Sequence, residues 1–317
     1  MPGLNPETPL ALLPPELADQ LRIAEYVTVG TLAGFIWDVL CNAHNDWKLV
    51  FKCRIGMGTW AYFIARLCTM FYLIISTLLL TYPVGDCALA YQIYTSASAI
   101  AVPANTLLMF LRARAIFNNN KYLVFFLLFL WLSVAGTAIL PAIPGVAVVA
   151  NIGPTKYCFI SIDQPIAWRS AEVSFTAAPI IYDTVIFVAI SWRMFHASYM
   201  ENRGGNCSRK TKIMAGITGK HLPRFSKAVL RDGQAYYLVT LLVNLPAALV
   251  SYNSHIYQTM LFVCTVMVTN CMTSYVFRNT KLGYLDRIMT TTEMSGIEFA
   301  GRSRESDSHR AAVRDVE

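Results

Sequence analysis

Seven apolar runs, each close to the length of a membrane-crossing helix, dominate this chain of 317 residues and leave it little choice of fold. They lie near 22–42, 57–81, 87–111, 121–145, 169–192, 234–252 and 256–277. A helix needs about 20 apolar residues to cross roughly 30 Å of hydrocarbon, and a backbone in lipid must pair its polar groups within its own segment. The expected fold is therefore an all-α membrane protein. A seven-transmembrane helix bundle spans 22–278, between an N-terminal tail at 1–21 and a C-terminal tail at 279–317. With 55% hydrophobic and only 14% charged residues, the chain is too apolar for an ordinary globular surface, so the lipid bilayer is its first partner.

The net charge of +7 does not point to nucleic acid, because the basic residues lie between apolar runs rather than across a folded polar surface. They report topology instead. Under the seven-span reading, 22 of the 26 Lys and Arg fall on one side, three (Arg22, Lys156, Arg169) fall on the other, and Arg66 lies within a span. Basic residues in short loops stay in the cytoplasm, which predicts N-out, C-in insertion, with 1–21 extracellular and 279–317 cytoplasmic. Six spans would break this alternation. The first 20 residues contain no Lys or Arg, so the first span is expected to act as its own uncleaved insertion signal. The sole Asn-x-Ser/Thr match, Asn206-Cys207-Ser208, falls in the cytoplasmic loop and is not expected to carry a glycan.

Once the sides are assigned, only two of the eight cysteines, Cys87 and Cys158, face the oxidising side, and two is the number one bridge needs. Their disulfide would hold the 146–168 loop over the mouth of the bundle, an arrangement characteristic of G-protein-coupled receptors. The other cysteines show no metal-ligand spacing, and no cofactor or metal is expected. Cys264 and Cys271 read as small packing residues.

Two charges lie deep inside the spans: Arg66 and Asp183 each sit nine residues from an inner helix end, or about 14 Å at the helical rise. A charge in hydrocarbon requires a partner. Arg66 has two candidates, Asp183 and Asp38. The latter is favoured because it lies on the adjacent helix of a hairpin, within reach of a long Arg side chain. Pro103, Pro141, Pro144, Pro179 and Pro246 predict kinks in spans three to six, and Asn244 precedes the last of these. Tyr91, Tyr94, Trp168 and Glu172, near the outer ends, are candidate contacts for a small apolar ligand, although aromatic residues also gather at membrane interfaces for other reasons.

On the cytoplasmic side, Leu222, Phe225 and Val229 recur at helical spacing among Lys220, Arg224, Lys227 and Arg231. That pattern suits anionic lipid or an acidic signalling partner. After the last span, Leu282, Leu285 and Ile288 predict a short surface helix, and 290–317 has the composition of a disordered tail.

Residues 25–66 include Phe35-Ile36-Trp37-Asp38, Leu49-Val50-Phe51-Lys52 and Tyr62-Phe63-Ile64-Ala65-Arg66. They resemble a domain of unknown function that heads many seven-span proteins of basidiomycete fungi. The tracts Phe110-Leu111-Arg112-Ala113-Arg114-Ala115-Ile116-Phe117 and Asn151-Ile152-Gly153-Pro154-Thr155-Lys156-Tyr157-Cys158 resemble the same proteins. The resemblance implies a fungal origin and a seven-helix fold, and brings no activity with it.

Familiar receptor signatures are incomplete, since no acid precedes Arg112, and Cys271 rather than proline follows Asn270. The last span has no lysine to hold retinal, which excludes an opsin. The leading expectation is receptor-like sensing at the plasma membrane. The alternatives are a membrane enzyme such as a terpene cyclase, with Glu25, Asp38, Glu172 and Asp183 as its acids, and a transporter, which the absence of an internal repeat disfavours.

Overall fold

The computed structural model describes residues 13–51, 56–117, 120–144, 149–152, 155–160, 166–201 and 256–283, together with Val239 and Leu242. Among these residues six helices are long and apolar enough to cross a membrane. They are α1 (Pro15–Phe51), α2 (Met57–Thr81), α3 (Cys87–Ile116), α4 (Lys121–Ile139), α5 (Ile166–Glu201) and α6 (Ile256–Gly283). The helix α6 covers the seventh expected span. The sixth, at 234–252, lies outside the described residues apart from Val239 and Leu242, as do Asn244, Pro246, the segment holding Lys220, Arg224, Lys227 and Arg231, and the tail beyond Gly283.

The α2 helix shows how lipid inverts the usual pattern of burial. Trp60, Ile64, Leu67, Phe71, Ile74 and Leu78 recur every three or four residues and are exposed, while Thr59, Tyr62, Arg66, Thr69, Leu73 and Ser76 occupy the opposite stripe and are buried. In water this face choice would be unfavourable. In hydrocarbon the apolar stripe meets lipid at no cost, and the polar stripe finds its partners only inside the bundle.

Two helices form the axis. The α3 helix packs against α2, α4 and α5, and α6 reaches α1, α2, α3 and α5 through side chains. Close approach is visible at Gly34, where an added Cβ would come within 3.1 Å of Met267, and at Gly58, where it would come within 3.2 Å of Phe277.

Several helix boundaries differ from the sequence expectation. The α1 helix starts at Pro15 and runs to Phe51, well past both ends of the 22–42 run, because helix continues into the polar boundary where water satisfies its last carbonyls. Pro141 does not kink α4. It sits in a 3-10 turn, Leu140–Ala142, that ends the helix, and Pro144 follows. Pro103 and Pro179 do lie inside helices, α3 and α5. The Pro103 carbonyl accepts from Trp131 Nε1 at 3.1 Å, which ties α4 to α3 at the interruption.

A small antiparallel hairpin, β1 (Val149–Asn151) with β2 (Cys158–Ile160), occupies the connection between α4 and α5. Cys158 is bonded to Cys87 at the start of α3, with Cα atoms 5.3 Å apart. Gly85, at φ +83°, donates its N–H to the Lys156 carbonyl at 3.2 Å and adds a second tie between the α2–α3 turn and the hairpin. The bundle thus has a disulfide end and an opposite end, where α1 meets α2 and α3 meets α4.

Candidate functional site

Polar side chains meet in three layers along one stripe of α2. The layer nearest the opposite end joins α1, α2 and α6. Arg66 Nη2 lies 2.7 Å from Asp38 Oδ2, and its Nε lies 3.9 Å from Asp46 Oδ2. Arg278 faces the same two carboxylates at 3.9 Å and 3.8 Å. Tyr62 stands among them: its hydroxyl donates to Asp46 at 2.6 Å and accepts from Arg66 at 3.0 Å and from Arg278 at 2.9 Å. Two carboxylates and two guanidinium groups make the cluster neutral, as a site shielded from water requires. Arg66 and Arg278 are almost fully covered, while the Asp38 side chain keeps 24% exposure. The Tyr62 ring stacks on Phe277 at 5.3 Å, adding an apolar contact between α2 and α6.

Asp183 belongs elsewhere. It is buried in α5 and lines a small cavity of about 30 Å³ with Asn105, Thr106, Thr265 and Thr269. Of the two carboxylates considered for Arg66 from sequence, the structure places Asp38 against it and Asp183 apart. Asp46 and Arg278 escaped the sequence reading, which ended the spans at 42 and 277. The available signal was spacing. Asp38, Asn42 and Asp46 recur every four residues, as do Asn270, Ser274 and Arg278.

The middle layer contains no charge. Asn270 Nδ2 donates to Asn105 Oδ1 at 2.7 Å and to Thr69 Oγ1 at 3.2 Å, and Ser274 donates to Asn270 Oδ1 at 3.4 Å. Asn105 and Asn270 are buried, so this knot of α2, α3 and α6 is closed to the surface. Asn270→Leu is expected to lower stability by about 1 kcal/mol, the scale of a hydrogen bond between helices in a membrane. Unfolding curves in mixed micelles would measure it, and Asn105→Leu should add little in the double variant, because both changes remove the same knot.

Nearest the disulfide end, the Tyr72 and Tyr94 hydroxyls lie 3.3 Å apart and their rings stack at 5.5 Å. Tyr91 and Tyr94 line a cavity of about 50 Å³ with Ser98, Phe175, Gln258 and Phe262. This brings two of the four candidate ligand residues together. Trp168 and Glu172 fall on α5, and their side chains lie outside the described residues. A larger cavity of about 500 Å³ opens at the opposite end, between α2, α3 and α6. No group of three or more His, Cys, Asp or Glu suited to a metal ion occurs among the described residues.

No known family matches the chain, and no curated protein is similar enough to count as a relative.

Proposed function

We propose that the chain is a receptor-like protein of the plasma membrane, similar in plan to G-protein-coupled receptors and to the fungal seven-span proteins that its N-terminal half resembles. In this reading 234–252 supplies the seventh span, the N-terminus is outside, and the basic loops and tail are cytoplasmic. A small apolar ligand binds toward the disulfide end near Tyr91 and Tyr94, and a signalling partner meets Lys220, Arg224, Lys227 and Arg231.

The observation that supports this reading is the stacking of the three polar layers on α2 between two cavities at opposite ends. Hydrogen-bonded layers have discrete arrangements, so a ligand that favours one arrangement near Tyr94 biases the helices that meet at Tyr62.

The test uses full-length protein in lipid nanodiscs, screened against small apolar molecules by thermal shift. A receptor should give a hit that is weakened by Tyr94→Ala and that changes the signal of a fluorescent label on Thr280. Chemical conversion of the hit would identify an enzyme instead, and its accumulation inside proteoliposomes a transporter. Topology is tested separately: a C-terminal epitope should become accessible only after cells are permeabilised, and staining of intact cells would reverse the orientation.

A further inference from the structure

The cavity at the opposite end has an apolar floor and a basic margin. Met57 comes from α2, Leu111 and Arg114 from α3, and Val276, Phe277 and Lys281 from α6, and among the described residues no carboxylate lines it. Arg114 is exposed, and Met57 is 74% exposed. An occupant that matches these described lining residues combines apolar side chains with negative charge.

The chain carries such a segment, attached beside the cavity. The described part of α6 runs to Gly283, two residues beyond the lining residue Lys281. From 288 to 301 the sequence contains no Lys or Arg, and within it Glu293, Met294, Ile297, Glu298 and Phe299 bring three apolar side chains and two carboxylates into seven residues. The remainder of the tail, from Arg302, mixes both charges with few large apolar side chains. About ten residues separate Gly283 from Glu293, a reach of up to roughly 35 Å when extended, enough to double back to any part of the cavity. A tether of this length holds the segment at an effective concentration in the millimolar range, so weak contacts suffice for occupancy.

We propose that residues 293–299 of the tail occupy this cavity, with Met294, Ile297 and Phe299 on its apolar floor and Glu293 and Glu298 against Arg114 and Lys281. The tail would then compete with any partner that approaches this face. The proposal does not depend on receptor activity: it requires only that tail and cavity share one side of the membrane, and α6 ensures this because the tail continues it.

The experiment places a photo-reactive phenylalanine analogue at Met57, and separately at Thr280, in the full-length protein in membranes. Irradiation should link both positions to 293–299 of the same copy, as identified by peptide mass spectrometry. Glu293→Lys with Glu298→Lys leaves the described helices untouched and should lower that yield several-fold, and adding Arg114→Glu should restore part of it. Links to lipid alone, to another protein or to a second copy of the chain would overturn the proposal. So would a yield unchanged by the Lys substitutions.

Discussion

Arg66→Ala is expected to lower the yield of folded protein sharply and to cost about 2–4 kcal/mol of stability, because it leaves Asp38 and Asp46 facing one guanidinium instead of two. The loss falls below that of a fully dry ion pair because the Asp38 side chain retains 24% exposure. Arg66→Lys should be milder: it keeps the charge but gives up the planar group that reaches Asp38 and the Tyr62 hydroxyl together. Fluorescence-detected size exclusion and thermal unfolding would measure both variants. Exchanging Arg66 with Asp38 should recover part of the loss, and exchange with Asp183 should recover none. An Arg66→Ala protein that expresses and melts like the parent would show that the cluster contributes nothing.

Cys158→Ser is expected to produce the other large effect. The bridge closes a sequence separation of 71 residues, for which loop entropy alone suggests about 4 kcal/mol. The denatured reference in a membrane keeps its helices and is already confined, so about 2–3 kcal/mol is the better expectation. The Cys87→Ser and Cys158→Ser variants should lose the same amount, and the double variant no more than either. Reducing agent should lower the melting temperature of the parent and leave the variants unchanged.

Sequence alone revealed the membrane-spanning character and the bridge and favoured Asp38 over Asp183 as the partner of Arg66, because each follows from a rule that acts along the chain. Apolar length sets a span, sidedness selects the two thiols, and neighbouring helices of a hairpin touch. The Asp46 and Arg278 half of the cluster was hidden because both residues lie where helix continues beyond the apolar run, and hydropathy stops counting there. Asn270 could be read from sequence only as a receptor signature that lacked its proline. Its role in tying α2 to α3 depends on Thr69 and Asn105, which are distant in sequence and adjacent only after the bundle has packed. The fate of Pro141 turned on the length of α4, which no local pattern fixes.

The charge cluster also bears on how the chain is made. Ribosomes deliver α1 and α2 first, and their share of the cluster, Asp38, Asp46 and Arg66, has one negative charge in excess. The balancing Arg278 is synthesised 212 residues after Arg66, in α6. Until then one carboxylate of the cluster lacks its guanidinium. A polypeptide cut short before α6 keeps that imbalance permanently, so an unfinished molecule differs from a complete one by an unpaired charge as well as by a missing helix.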